Sequence, residues 1–408
     1  MATEATIGLG VIGCGGFGLF AMQQFIQIPG VVPIGVTATH REATRRAVER
    51  YGLKMYDSIE GMLADPAIDL VYIATPPFLH HSQAAAALDS GKHVIVEKPL
   101  AMNAIEADDL ISRARRGDRL LTANLMQPYN PLRDYIAEVI QQEWLGKPMH
   151  GFFENYASDE NLSNEHWFWD QEKSGGIFIE HGVHFFDLFA GWLGPGEVVD
   201  AATTERPKAQ QGPESQQGPE SQRGPDPSDT PSGSPIMDQA QCRVRYRDGI
   251  TVNFYHSFTQ PARLDRQEFR LVFEKGDLTL EGWVPTTLKL RAIADEETTR
   301  KITEPLNGYR LDVLENYGGS GRQCRGRGKD YDVYQRFDLE WRSPLEKQAL
   351  YSELLRSFAR DQVAWIRDRQ HRRRVSEQNG RDSVAVGEAA RRMAAGSAGA
   401  NLASAGTP

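Results

Sequence analysis

The sequence predicts a doubly wound α/β domain followed by an α+β domain built on a mostly antiparallel, open sheet. Three observations carry this expectation. Apolar strand-like runs alternate with helical patterns through the first 124 residues, strand and hairpin signals crowd the stretch after Asn130-Pro131, and a tract rich in Pro, Gly, Gln and Ser interrupts that second half. A chain of 408 residues, 40% hydrophobic, can bury two cores of this kind.

In the first domain, residues 1–124, strands are expected at Thr6–Ile12, Val31–Ala38, Leu70–Ala74, His93–Val96 and Leu120–Asn124. Helices are expected at Gly18–Gln27, Glu42–Tyr51 and His80–Ser90, stopped by Pro29-Gly30, Gly52 and Gly91. Asn103 followed by Glu106 has the spacing of a capping box and opens another helix to Arg116. Strands alternating with helices in this way imply a parallel sheet covered on both faces.

The second domain, residues 125–395, opens with Asn130 as cap and Pro131 in the first turn of a helix to about Gln142. Pro148–Tyr156 then reads as a strand. Ile236–Arg247 and Ile250–Thr259 flank the two-residue hairpin signal Asp248-Gly249, and Phe269–Glu274 and Leu278–Glu281 flank Lys275-Gly276-Asp277. Between them, Arg206–Pro235 carries a hexapeptide repeat (Gln210-Gln-Gly-Pro-Glu-Ser, Gln216-Gln-Gly-Pro-Glu-Ser, Gln222-Arg-Gly-Pro-Asp) with no apolar pattern, and is expected to be a disordered insertion in a surface loop. The tail Gly396–Pro408 is expected to be loose.

Charge narrows the function. With 46 basic and 55 acidic residues the formal net charge is −9, which argues against nucleic acid or anionic lipid as a partner. The first six residues hold an acid and no base, unlike a signal or transit peptide, and no apolar run approaches the roughly 18 residues that cross a bilayer. Cys14, Cys242 and Cys324 form no metal-ligand or disulfide pattern, so a reducing, cytoplasmic compartment is expected.

Gly13-Cys14-Gly15-Gly16-Phe17-Gly18 is G-x-G-x-x-G set directly after a strand and opening a helix. Gly13 permits the tight turn, Gly15 lets backbone approach a pyrophosphate, Gly18 allows close helix–strand packing, and the helix N-terminus favours the anion. This is the phosphate-binding turn of a Rossmann dinucleotide domain. NAD-preferring folds place an acid about 20 residues later. Here Ala38 is followed by Thr39, His40 and Arg41, a hydroxyl and cations that suit a 2′-phosphate and lean toward NADP over NAD; the alternative is that these side chains face solvent.

Asp69-Leu-Val-Tyr-Ile-Ala-Thr-Pro-Pro77, His80 and Gly91-Lys-His-Val-Ile-Val-Glu-Lys-Pro-Leu100 resemble the glucose–fructose oxidoreductase and inositol dehydrogenase family, whose hallmark is Glu97-Lys98-Pro99 at a strand end. Gly175-Gly176, Glu180-His-Gly-Val-His184 and Asp187 are similar to that family's glycine-rich helix entry and D-x-G-x-H block. The resemblance covers about residues 6 to 395 apart from the insertion. It implies that Gly13, Gly15, Gly16, Phe17, Gly18, Thr75, Pro76, His80, Glu97 and Lys98 hold a nicotinamide dinucleotide, that the Lys98–Pro99 peptide is cis, and that the protein associates as a homo-oligomer. It further implies that His184 is the general base while Lys98 assists at the substrate oxygen.

On the residues themselves, Lys98 falls at the carboxyl edge of the sheet, where such folds bind ligands. Glu180, His184 and Asp187 are spaced i, i+4 and i+7, which on one helix puts them on one face and lets Glu180 orient the imidazole. Glu180 replaces the family's aspartate, and Gln127 stands where relatives often carry arginine. Trp167, in Trp167-Phe168-Trp169, is a candidate platform for a sugar face, with core packing as the alternative. Glu180, His181 and His184 lack H-E-x-x-H spacing, so no metal is expected. Arg367, Arg369, Arg372, Arg373 and Arg374 read as a solvated helix end, and Asp382–Ala395 as a closing helix near the first domain.

The expected activity is hydride transfer between a nicotinamide cofactor and a secondary alcohol of a sugar, sugar acid, cyclitol or glycoside. Two alternatives stay open: a redox-assisted lyase or glycoside hydrolase that retains its cofactor, and a non-catalytic nucleotide-sensing regulator. Retention of Lys98 and His184 speaks against the last.

Overall fold

The computed structural model describes residues 6–37, 41–207, 235–318 and 322–404. Thr39, His40, the repeat tract and the last four residues lie outside this set, as do the side chains of residues 41–43 and 397–404.

The first domain runs β1 (Ile7–Ile12), α1 (Gly16–Phe25), β2 (Val31–Thr37), α2 (Arg41–Tyr51), β3 (Lys54–Met55), α3 (Ile59–Leu63), β4 (Leu70–Ile73), α4 (His80–Asp89), β5 (His93–Val96), α5 (Ala104–Gly117) and β6 (Leu121–Ala123). Its sheet is parallel throughout, in the order β3-β2-β1-β4-β5-β6. The order reverses between β1 and β4, so a crevice opens at the carboxyl ends of those strands. Asn103 caps α5 by accepting from the Glu106 amide, while Glu106 accepts from the Met102 amide, a box displaced by one residue from the expected reciprocal pair.

The second domain contains α6 (Pro131–Gln141), β7 (Pro148–Tyr156), α7 (Gln171–Ser174), α8 (Ile177–Glu180), α9 (Val183–Leu193), β8 (Glu197–Glu205), β9 (Met237–Arg245), β10 (Thr251–Ser257), β11 (Arg266–Phe273), β12 (Gly276–Glu281), β13 (Thr287–Ala294), α10 (Glu296–Thr303), β14 (Arg310–Asn316), β15 (Arg322–Gly326), β16 (Lys329–Val333), β17 (Gln335–Arg342), α11 (Lys347–Arg367) and α12 (Glu377–Ser404). Among the described residues nine strands form one open sheet in the order β14-β17-β13-β12-β11-β7-β10-β9-β8, antiparallel except where β7 meets β10.

The structure revises several sequence expectations. Asp248 and Gly249 take positive φ of 59° and 77° as expected, but Tyr246 still pairs with Ile250, so the loop holds Arg247 as well. Gly276 lies in β12 rather than in the turn, paired with Ala292 of β13, and glycine fits there because a Cβ would stand 2.2 Å from the Arg291 carbonyl oxygen. Arg206 is not part of a loose insertion. It is buried, its amide bonds the Ile236 carbonyl at 2.8 Å and its guanidinium bonds Asp238 at 3.0 Å, closing the neck between β8 and β9. Helix α12 runs to Ser404, past the start of the tail expected to be loose, because that stretch is alanine-rich and meets no proline before Pro408.

The arginine run is a solvated helix end only in part: Arg367 closes α11, and Arg369 and Arg372 are exposed. Arg373 donates to the Leu121 carbonyl of β6 and pairs with Glu377, and Arg374 donates to the Pro128 carbonyl and pairs with Asp134. Phe358, Ala359 and Val363 of α11 and Val384 of α12 complete the apolar core of the first domain. The second domain is therefore packed onto the first, and α8 and α9 are held over the crevice.

Candidate active site

A cavity of about 1150 Å³ opens where the carboxyl ends of β4, β5 and β6 meet α8, α9 and the β12–β13 turn. Its walls include Phe17, Thr75, Pro76, Glu97, Lys98 and Asn124 from the first domain. The second contributes Asn155, Trp167, Glu180, His181, His184, Trp283 and Tyr351.

The glycine turn divides into two kinds of glycine. Gly13 has φ +85°, and a Cβ on it would stand 2.5 Å from the Ala74 carbonyl oxygen; on Gly18 it would stand 2.1 Å from the Gly13 carbonyl oxygen. The fold itself requires both. Gly15 has an ordinary φ of −76°, and at Gly15 and Gly16 a Cβ would meet nothing within 4 Å. Nothing among the described residues calls for glycine there, and none of their side chains caps the first turn of α1. Open space beside uncapped helix amides fits a pyrophosphate drawn close to the backbone.

Other expected cofactor residues separate by depth. Phe17, Thr75, Pro76, Glu97 and Lys98 face the cavity. His80 does not: it is fully buried, with Nδ1 2.7 Å from the Pro99 carbonyl oxygen and Nε2 2.8 Å from that of Thr75. It braces the Thr75 turn against the cis Lys98–Pro99 peptide rather than meeting a ligand. Burial pulls its pKa down to about 4, against those two hydrogen bonds. Thr39 and His40 lie outside the described residues; Arg41 opens α2, and its side chain lies outside the described set.

Glu97 accepts from Asn124 Nδ2 at 2.7 Å and from the Tyr72 hydroxyl, and burial raises its pKa. Lys98 donates to the Glu180 carbonyl at 3.0 Å and forms an ion pair with the Glu180 carboxylate. Here the single helical face fails. α8 ends at Glu180 and α9 starts at Val183, with Gly182 between them. A Cβ on Gly182 would stand 2.5 Å from the Phe178 carbonyl oxygen, so the chain turns too tightly there for one continuous helix. Glu180 consequently reaches Lys98 instead of His184, and Asp187 turns away to accept from Asn379 at 2.8 Å. Burial lifts the Asp187 pKa to about 6.

His184 is 3% exposed, lines the cavity and has no partner for Nδ1 among the described residues. Burial, followed by the nearby Lys98 charge, holds its pKa well below the ordinary imidazole value. It therefore rests neutral, ready to accept a proton. The Trp283 ring stands edge-on to it at 5.2 Å, Tyr351 packs on Trp283 at 5.6 Å, and Phe17 lies 6.2 Å from Tyr351. Gln127 supports this roof from behind, donating to the Trp283 carbonyl at 2.5 Å. It does not reach the cavity.

Trp167 lines the cavity, as a platform would, whereas Trp169 is core. Among the described residues no group of three or more His, Cys, Asp or Glu side chains is arranged to hold a metal ion, and no helix is long and apolar enough to cross a membrane. Asn124, Asn155, Trp283 and Tyr351 were not identified from sequence. Trp283 follows the Gly282 turn, but no local pattern marks it.

Comparison with known proteins agrees with this architecture. Residues 7–125 match the profile of an oxidoreductase family described as having an NAD-binding Rossmann fold, and residues 134–279 match the GFO/IDH/MocA C-terminal domain. An uncharacterized oxidoreductase of Synechocystis sp. is 32% identical, over 37% of this chain and 43% of its own length. The scyllo-inositol 2-dehydrogenase (NAD(+)) of Bacillus subtilis is 24% identical, over 47% of this chain and 55% of its own. The chain thus spans about half the length of these curated relatives. Among solved structures, levoglucosan dehydrogenase in complex with NADH and levoglucosan superposes with a TM-score of 0.70 at 17% identity, covering 96% of this chain and 98% of that one. At that identity the likeness is one of fold.

Proposed function

The chain belongs to the GFO/IDH/MocA oxidoreductase family, and we propose that it interconverts a secondary alcohol and a ketone on a small polyhydroxylated substrate of the sugar or cyclitol class. The observation that carries this reading is the meeting of Lys98, Glu180 and neutral, buried His184 in one cavity beside an open glycine turn. A bound nicotinamide would supply the hydride acceptor for oxidation and the donor for reduction. Gly15, Gly16, Thr75 and Pro76 would hold it, a reading supported by the open space at the two glycines and by the cavity-facing position of Thr75 and Pro76.

In the oxidation direction His184 takes the hydroxyl proton and Lys98 donates a hydrogen bond to the same oxygen as negative charge builds on it. Glu180 holds the lysine ammonium toward that oxygen. Trp283 and Tyr351 keep water from the reacting carbon, so these charges act in a low-dielectric space. In reduction His184 returns the proton. The absence of a carboxylate among Ala38, Thr39, His40 and Arg41 supports NADP over NAD.

The test is a panel of sugars and cyclitols offered with NAD+ and with NADP+, read by absorbance of free reduced cofactor. Accumulation with at least one polyol is the expected result, faster with NADP+. Turnover without released NAD(P)H would instead favour transient oxidation with a retained cofactor, and no turnover or cofactor binding would reject the reading.

A further inference from the structure

Behind His184 lies a pair of further histidines, joined from segments 75 residues apart. The Nδ1 atoms of His181 and His256 are 3.0 Å apart. His256, on β10, is 0% exposed and packed on Phe153, Phe185 and Phe186, and its Nε2 has no partner among the described residues. His181 lines the cavity. Because its Nδ1 is turned to His256, the edge it offers the cavity carries Nε2.

A hydrogen bond between two Nδ1 atoms needs one proton, and this fixes both tautomers. If His181 donated, neutral His256 would carry its proton on Nε2, an N–H buried among phenyl rings with no acceptor. If His256 donates, its Nε2 is a bare lone pair. Buried unpaired N–H groups are the rarer and costlier of the two. His181 then accepts at Nδ1 and must carry its own proton on Nε2, as a fixed donor facing the cavity.

An acceptor lies beside His256 and lines the same cavity as His181. Asn155 is the register partner of His256 across β7 and β10, so the two side chains share a sheet face. Asn155 Nδ2 donates to the Ser257 carbonyl at 3.1 Å, which fixes the amide orientation and leaves Oδ1 as a buried acceptor without a partner. Asn155 also lines the cavity. One fixed donor and one fixed acceptor are jointly satisfied by a group that both accepts and donates. An alcohol does this; a carboxylate gives nothing to Asn155, and an ammonium takes nothing from His181.

We propose that His181 and Asn155 form a subsite for a second hydroxyl of the substrate, next to the one that reacts at His184, and that His256 is a positioning residue that sets the His181 tautomer. The subsite rests on the reading of the cavity as a polyol site; the tautomer assignment does not. The first test is ¹⁵N-histidine NMR of the unmodified protein, where His256 should show the Nδ1–H and His181 the Nε2–H signature. The reverse assignment overturns the proposal. In His256→Phe, which keeps the apolar packing, the His181 signature should relax to a mixture; an unchanged His181 would mean that His256 sets nothing.

The second test uses myo-inositol as the probe with NADP+ present, read by titration calorimetry and by the His181 Nε2 shift, with cyclohexanecarboxylate as control. The polyol should move the signal and the carboxylate should not. His181→Phe, whose ring keeps the contacts to Phe185 and Phe258, should bind myo-inositol roughly tenfold more weakly, the worth of one buried hydrogen bond. No binding of myo-inositol, or equal affinity in the variant, overturns the subsite. Because neither reading needs turnover, failure of hydride transfer alone would remove the proposed activity and leave the subsite standing.

Discussion

Two glycine-rich segments frame the cavity, and they differ in what fixes them. In Gly13–Gly18 the local pattern determines the structure: strand, tight turn and helix follow from consecutive residues, and the glycines separate into those the backbone needs and those it leaves beside open space. In Gly175–His184 the local pattern misleads. Helical spacing places Glu180, His184 and Asp187 on one face, but the break at Gly182 sends Glu180 to Lys98, leaves His184 lining the cavity and turns Asp187 to Asn379. A phosphate-binding turn is short-range chemistry, whereas a catalytic constellation is assembled by tertiary packing across more than 80 residues.

The largest effects are expected within the first segment. Gly15→Val should fold with an unchanged unfolding midpoint and lose measurable NAD(P) binding, since its side chain would occupy the open space and nothing else. Gly18→Ala should do the opposite, costing roughly 1–3 kcal/mol of stability or more through collision with backbone. Calorimetric unfolding and cofactor titration on both variants check this. Retained affinity in folded Gly15→Val would reject the ligand-driven reading of that glycine.

In the second segment, Lys98→Ala should lower turnover by about 100-fold or more by removing the donor at the reacting oxygen. Glu180→Gln should lose less, roughly tenfold, because the amide still accepts from Lys98 but no longer carries charge. Steady-state kinetics on the two variants would contradict the Lys98–Glu180 pairing if Glu180→Gln proved the more damaging.

Acid should weaken the whole assembly through its buried imidazoles. His80 and His93 are depressed to about 4 and His256 to about 3 by burial, with His181 and His184 also well below normal. Below the unfolded value of about 6.5 the unfolded chain binds protons that the fold refuses, so stability is lost as pH falls from there toward 4, by up to about 1.4 kcal/mol per unit for each group. Asp187, raised to about 6, and Glu97 act in the opposite sense, since the fold holds their protons more tightly than the unfolded chain does. Chemical denaturation across this window should show a net fall, and a stability flat from pH 7 to 4 would contradict the burial of these rings.

The smallest effect is expected at the insertion. Arg206 and Ile236 close the neck of the β8–β9 pair, so replacing residues 208–234 with a short linker should leave unfolding and turnover nearly unchanged. A noncooperative transition in that variant would assign the tract a structural role.

Much of the architecture was legible because it is written locally. Five strands of the parallel sheet are bounded within two residues by their apolar runs, and the hairpins announce themselves through Asp248-Gly249 and Gly276. Lys98 and His184 were legible through motif context. The rest of the site was not, because Trp283, Tyr351, Asn155 and His256 reach the cavity or its back wall through sheet register and domain docking, neither of which leaves a periodic trace. Arg373 and Arg374 show the same limit: their charge is visible in the sequence, but the carbonyls of Leu121 and Pro128 that receive them lie some 250 residues earlier.

Packing, not helical spacing, brings a neutral His184 to the cavity where the proposed hydroxyl would react. The most direct measurement is a pH–rate series on the unmodified protein and His184→Ala with a substrate from the polyol panel, alongside cofactor affinity. The account predicts that the unmodified protein keeps its oxidation rate well below the usual imidazole range, because burial keeps His184 unprotonated there. It predicts that His184→Ala loses about 100- to 10,000-fold in turnover while binding NAD(P) as before. Near-normal turnover in His184→Ala with an unchanged pH dependence would contradict it.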